Sequence, residues 1–348
     1  MATYKILSSL GDRSSVAWYR QFVPHLRMRD ELLKYDIQID ATINLKYDPN
    51  AYDCYVFGRI PTNDDIFIII DQLYRAGKKI IWDLDDEIWT IPDENKYKEH
   101  YNELHLKWLY YYLGMATRVT ASTNNLANSI IKRFGFDSRK VCVLENLVSK
   151  DDYEFFYQNE KNFYSNPLKI IYSGSDSHSG DMERLLELYS YFGSDPNIMF
   201  IFYGFMPGEF VAETPRKIMH IGWSPNRKYY EGMMSFLSPH IALMPLADNS
   251  FNRCKSSIKH FEMAMSQCVC VASNIPPYSD TIKHIEDGFL CKNSNDWISS
   301  CYELSEDRDK IMEMALLSRN NVIQDYSWDT DNRRRRDWLE FFKAIPDM

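Results

Sequence analysis

Three side chains in the second half of the chain combine charge and spacing in a way that could do chemistry. They are Lys255, Lys259 and Glu262, in the run Lys255-Ser256-Ser257-Ile258-Lys259-His260-Phe261-Glu262-Met263-Ala264-Met265. At about 100° per residue they gather on one side of a helix, while Ile258, Phe261 and Met265 stack on another. Two ammonium groups beside a helix N-terminus offset phosphate charge, and a carboxylate one or two turns on accepts both hydroxyls of a ribose. That combination suits a nucleoside-diphosphate sugar. An incidental i, i+3 Lys259–Glu262 pair on a solvated helix has the same spacing, and spacing alone does not separate the two.

A second cluster is acidic. Lys79-Ile80-Ile81-Trp82-Asp83-Leu84-Asp85-Asp86-Glu87-Ile88-Trp89 is an apolar run that ends in carboxylates. Two aspartates after a strand can serve phosphoryl transfer, one attacking phosphorus and one protonating the leaving group, but Glu87 stands where that pattern has threonine. An Asp-x-Asp pair can hold a divalent ion against a diphosphate, which would duplicate the phosphate site at Lys255 and Lys259. A third use is to orient an acceptor hydroxyl. Capping of the following turn accounts for at least one of the acids without any chemistry.

The elements that must position these groups read as alternating strands and helices. Ile241–Leu246 and Val269–Ser273 are short buried strands flanking the charged helix, so strand, helix and strand make a parallel βαβ unit with its site at the strand's carboxyl end. Leu168–Gly174 is a strand running into the small-residue loop Ser175-Asp176-Ser177-His178-Ser179-Gly180, whose backbone N–H groups could cradle phosphate, followed by a helix from Met182. Ile198–Tyr203 and Ile218–Trp223 are further strands. In the first half, Tyr4–Leu10, Tyr52–Arg59, Lys79–Leu84, Arg118–Thr123 and Val141–Asn146 read as strands, with helices starting near Val16, Asp64 and Asn124. The loop Gly11-Asp12-Arg13-Ser14-Ser15 holds one glycine and is no dinucleotide fingerprint. The pattern is α/β.

On these residues the chain resembles GT-B glycosyltransferases of the glycosyltransferase 4 type, including bacterial and phage members. The resemblance is carried by Pro245, Leu246, Lys255, Lys259, Glu262, Ala264, Val269, Val271, Ala272, Ser273, Asp287, Gly288, Phe289 and Leu290. Weaker support comes from Arg20 and Pro24, from Leu144-Glu145-Asn146-Leu147-Val148 and from Tyr326-Ser327-Trp328. The likeness implies two Rossmann-like parallel-sheet domains facing a cleft. Residues 1–150 form an acceptor-side domain, 151–167 a linker, 168–325 the nucleotide-sugar domain, and 326–348 a helix returning to the first domain. It implies transfer of a sugar to an acceptor hydroxyl with retention of configuration and without a metal or other cofactor. Gly174, Ser175, His178, Trp223, Arg253, Lys255, Lys259 and Glu262 then fall on the donor; Asp85, Asp86 and Lys255 on the reacting centre; Gly11, Arg13, Arg20, Arg59 and Asp83 on the acceptor side. A second glutamate usual in the family, eight residues before Glu262, is Cys254 here, with Lys255 or Asn252 to take its part.

Bulk composition narrows the partners. A net charge of −9 over 348 residues argues against broad polyanion binding. Seven cysteines without a CxxC or Cys/His cluster point to reduced thiols and no structural zinc, and no apolar run approaches the roughly 20 residues of a membrane span. A cytoplasmic protein is expected, acting on a saccharide or glycolipid. A hydroxymethylated base in phage DNA is the second acceptor class, with Arg13, Arg20, Arg27 and Arg29 as a basic groove. A non-catalytic sugar-nucleotide-binding module is the third reading. Arg333-Arg334-Arg335-Arg336 cannot share one helix face and reads as solvated charge paired with acids.

Overall fold

A computed structural model describes residues 3–10, 15–43, 45, 48, 50–58, 64–153, 161–208, 218–224 and 226–348. Within them two six-stranded sheets form, each wholly parallel. The first comprises β1 (Tyr4–Ser9), β2 (Ile37–Thr42), β3 (Cys54–Gly58), β4 (Lys79–Leu84), β5 (Arg118–Ala121) and β6 (Val141–Val143), in the order β2-β1-β3-β4-β5-β6. The second comprises β7 (Leu168–Gly174), β8 (Ile198–Gly204), β9 (Ile218–Ile221), β10 (Ile241–Met244), β11 (Val269–Ser273) and β12 (Gly288–Cys291), in the order β12-β11-β10-β7-β8-β9. The α/β architecture expected from the alternating pattern is the one observed. In the second sheet the order reverses between β7 and β10, which is where open parallel sheets leave a crevice beyond their carboxyl ends.

Strands covered on both faces are apolar without alternation, and β4 illustrates why. Ile80, Ile81 and Trp82 are all at most 1% exposed. The Trp82 ring stacks on Tyr112 at 4.5 Å between centroids and on Phe57 at 5.5 Å. Tyr112 comes from the helix Glu103–Met115 and Phe57 from β3, so one indole ties the sheet to its covering layer. The helix Asp64–Arg75 stops at Gly77, whose φ of +70° is the left-handed turn that glycine adopts without steric cost. The helix Asn124–Phe134 starts where the Thr123 hydroxyl accepts from Leu126 N–H at 3.1 Å and ends at Gly135, φ +67°.

The end of the chain crosses back to the first sheet. Ser327 bridges Val148, with Val148 N–H donating to Tyr326 O and Trp328 N–H to Val148 O, both at 2.9 Å. The helix Arg333–Ala344 then places Trp338 and Phe342 in one apolar cluster with Ile6 and Ile81 of β1 and β4. Lys79 Nζ donates to the carbonyls of Ile345 (2.8 Å) and Pro346 (2.5 Å), neutralising the carboxyl-terminal dipole. The four arginines do pair outward: Arg333 and Arg334 with Glu145, Arg335 with Glu31, and Arg336 with Asp331.

Two expected helix starts shift. After β7 the chain forms a 3₁₀ segment, Asp176–Leu185, and the α-helix covers only Leu186–Phe192. After β10 a four-residue helix, Ser250–Arg253, intervenes, and the charged helix begins at Ile258, not Lys255. The N–H groups of Cys254 and Lys255 bond back to carbonyls of residues 250–252, which spends them on the short helix.

Candidate functional site

The floor of the crevice is glycine because nothing larger fits. Gly174 and Gly204 end β7 and β8 in register. Gly204 has φ +99°, and a Cβ there would lie 2.2 Å from Gly174 O and 3.1 Å from Trp223 Cε3. A Cβ on Gly174 would fall 2.6 Å from the Tyr172 hydroxyl and 3.3 Å from Lys259 Nζ. The two glycines therefore sit directly beneath an ammonium group and beside an indole. Trp223 remains 54% exposed, unusual for so large an apolar ring, and its surface borders this floor. Ser175 begins the following segment and hydrogen-bonds Ser177 at 2.7 Å; the side chain of His178 lies outside the described atoms.

Lys259 and Glu262 come from the helix Ile258–Met265, one turn apart. Lys259 is half-buried, and the desolvation this brings pushes its ammonium down to about 8; Lys255 adds to the drop, while Asp181 and Glu262 oppose it. Asp181 is itself fixed, accepting from Ala247 N–H (2.6 Å) and Asn252 Nδ2 (3.1 Å). A partly desolvated cation over an open backbone floor is arranged to gain from an incoming anion. The opposite face of the same helix is structural. His260 bonds Thr281 (3.0 Å) and Ser318 (3.2 Å), and burial lowers it to about 3, so it is neutral.

Glu262 is engaged from two directions. Its Oε1 accepts from the Tyr19 hydroxyl at 2.7 Å and from Arg227 Nη1 at 3.2 Å. Arg227 also meets Glu231 (2.7 Å) and Asp152 (3.7 Å) and donates to the Tyr153 hydroxyl (3.1 Å). Sequence reasoning did not single out Tyr19, Arg227, Glu231, Asp152 or Tyr153 for this site. Its one local hint was Tyr19 beside Arg20.

Where the two sheets' loops meet, hydrogen bonds cross between them. Lys255, ahead of its helix, points its ammonium to Asp86 at 3.6 Å and lies over the Phe251 ring. Helical periodicity thus grouped Lys255 with Lys259 and Glu262 where the backbone separates them. Glu87, 3% exposed, accepts from the hydroxyls of Thr90, Ser129 and Ser250, the last from the opposite half. Cys254 sits against it; burial and then the Glu87 charge push that thiol up to about 12, leaving it a neutral packing group. Thr123 Oγ1 donates to Cys254 O (2.9 Å), Asn125 to Arg253 O (2.8 Å) and Asn146 to Ser256 Oγ (2.8 Å). A cavity of about 290 Å³ opens beside these contacts, between Ser122–Asn125, Ser256, Ser257, Asp280 and Arg334. Arg253 is held by Asp248 at 2.5 and 2.8 Å.

Arg20 and Asp83 hold each other. Arg20 Nε and Nη2 grip Asp83 at 3.0 and 2.6 Å, Thr120 donates to the same carboxylate, and Arg20 Nη1 bonds Asn146 at 3.0 Å. At 2% and 4% exposure they support the loops around Asp85 and Asn146 and do not face solvent. Arg27 pairs with Asp151 and Asp329, and Arg29 with Asp30, so the described arginines of this region form no open basic groove. Gly11, Arg13 and Arg59 lie outside the described residues. Among the described residues no group of three or more His, Cys, Asp or Glu side chains could hold a metal ion, and no helix is long and apolar enough to cross a membrane.

No protein-family model and no curated protein sequence matches the chain. Solved structures do. A glycosyltransferase from Rickettsia africae superposes with a TM-score of 0.64 at 15% identity, covering 99% of both chains. HepE of Anabaena, in complex with UDP and glucose, gives 0.66 at 12% identity over 99% of this chain and 100% of its own. The sucrose-phosphate synthase of Thermosynechococcus elongatus gives 0.65 at 11% identity over 100% and 99%. At such identities the likeness speaks to architecture, and the architecture is plain: two parallel sheets with their carboxyl ends facing one crevice, the GT-B fold.

Proposed function

We propose that the protein is a glycosyltransferase of the glycosyltransferase 4 type, moving a sugar from a nucleotide-sugar donor to an acceptor hydroxyl with retention of configuration. The observation that carries this reading is the half-buried ammonium of Lys259 over the Gly174 floor, with Glu262 one turn further along the same helix. HepE, which shares the fold, is described in complexes with UDP and with UDP-glucose, and this supports a nucleoside-diphosphate donor. The half carrying β7–β12 binds the donor. Its diphosphate rests on Gly174 and Ser175 under Lys259, its ribose meets Glu262, and its base lies along Trp223. The half carrying β1–β6 offers the acceptor.

In the reaction the bond from the anomeric carbon to the diphosphate oxygen breaks as the acceptor oxygen bonds to that carbon. The acceptor proton passes to the departing phosphate or to a carboxylate at Asp85 or Asp86. Catalysis then consists of positioning and of stabilising the charge on the leaving group, which Lys259 supplies without a metal ion. Lys255, paired with Asp86, connects the donor helix to the acceptor side. A saccharide or glycolipid hydroxyl is the acceptor this reading favours.

The test is a hydrolysis panel of UDP-, GDP- and CDP-sugars, run alone, with saccharide acceptors, and with duplex DNA containing 5-hydroxymethylcytosine. One nucleotide sugar should be turned over without added metal and faster with a saccharide. Acceleration by the modified DNA alone would move the acceptor class, and no turnover with any donor would leave a binding module.

A further inference from the structure

A carboxylate that accepts two vicinal hydroxyls has to present its oxygens at a fixed angle, and a glutamate has three rotatable bonds with which to miss it. In this chain Glu262 is not left to find that angle. Oε1 is held by Tyr19 at 2.7 Å and Arg227 at 3.2 Å, while Oε2 makes no hydrogen bond among the described residues.

Both holders are themselves immobilised. Tyr19 sits on the π-helical turn Trp18–Phe22 that follows β1, 2% exposed, with its hydroxyl 3.3 Å from that of Tyr153. The Arg227 guanidinium lies 4.5 Å from the Tyr19 ring centre and is shared among Glu231, Asp152 and Glu262. Asp152 is bonded in turn by Trp18 Nε1 at 3.0 Å. Tyr19 therefore comes from the first half and Arg227 from the helix Arg227–Leu237, while the segment Lys150–Tyr153 braces both. A guanidinium with three carboxylate neighbours cannot satisfy all of them fully, so it fixes Glu262 without quenching it as a hydrogen-bond acceptor.

We propose that Tyr19 and Arg227 are positioning residues for Glu262, fixing Oε1 so that the carboxylate meets a ribose diol only when the first half is docked on the second. This rests on the donor reading above and adds the residues that enforce it. Because Tyr19 is delivered from the far side of the crevice, docking of the two halves and recognition of the diol become one event.

The discriminating probe is the diol itself. Calorimetric titrations with UDP and GDP, each beside its 2′,3′-dideoxy analogue, are run on the wild type, Tyr19→Phe, Arg227→Lys and Glu262→Gln. The wild type should prefer the nucleotide that carries the diol. Tyr19→Phe, which removes one oxygen and keeps the ring, should weaken that nucleotide about tenfold and leave the dideoxy analogue within about twofold. Arg227→Lys should do the same more strongly, and thermal unfolding reports whether it stays folded. Equal losses for both ligands, or none, in Tyr19→Phe overturn the positioning role. If Glu262→Gln itself leaves the diol preference intact, or the wild type binds neither nucleotide, the donor reading fails together with the inference. A preference lost in Glu262→Gln but kept in Tyr19→Phe removes the inference alone.

Discussion

Replacing Lys259 by methionine should make the protein more stable and less able to bind nucleotide. The ammonium is partly desolvated, and its fall from an ordinary 10.5 to about 8 corresponds to at most roughly 3 kcal/mol of penalty for keeping the charge. Methionine keeps the length and apolar body of the side chain and removes the charge. The gain will be smaller than the full penalty, because Asp181 and Glu262 lose a favourable neighbour; about 1–3 kcal/mol at pH 7 is expected. The pH dependence fixes the origin. A lowered lysine penalises the folded state in full below about pH 8, and the penalty disappears as pH rises towards the unfolded value near 10.5. The advantage of Lys259→Met should therefore be greatest at pH 7 and close by pH 10.5 in urea titrations. UDP affinity should drop roughly 10- to 100-fold with loss of the charge-assisted contact. In the wild type, UDP binding at pH 8–9 should take up a proton, measurable by calorimetry in buffers of different ionisation enthalpy. A variant less stable than its parent at pH 7, or a gap that ignores pH, would refute the reasoning.

Two further outcomes follow from the same geometry. Gly204→Ala forces a Cβ to within 2.2 Å of Gly174 O at φ +99°, so it should destabilise by roughly 2–5 kcal/mol in chemical denaturation and distort the phosphate floor. Glu231, raised to about 7 by burial against the opposing pull of Arg227, favours the folded state most when protonated. Wild-type stability should thus fall as pH rises from about 4.5 through 7, and Glu231→Gln should flatten that part of the profile.

Much of the architecture was legible because parallel strands buried on both faces are unbroken apolar runs. Ile241–Met244, Val269–Ser273 and Leu168–Gly174 stand where those runs lie. β2 was absent from the expected strands, although Ile37-Gln38-Ile39-Asp40 carries the alternation of an edge strand with one solvated side. The helix start at Lys255 misled because periodicity is blind to capping. Asn249, whose side chain accepts from Asn252 N–H at 2.8 Å, opens a separate short helix and delays the next one to Ile258. Lys259 and Glu262 were found from spacing, but their partners were not. Tyr19 is 243 positions from Glu262, and Arg20 is 63 from Asp83. No local pattern announces such pairs. The sequence displays Arg20 and Asp83 as two charged residues near a site; only the fold shows that they neutralise each other.

The most direct test of the central claim is a crystal of the protein grown with a nucleoside diphosphate and magnesium. The account predicts phosphate density on Gly174 and Ser175 within hydrogen-bond reach of Lys259 Nζ, and ribose hydroxyls on Glu262. Density for the diphosphate at Asp83, Asp85 and Asp86, bridged by a metal ion, would contradict it.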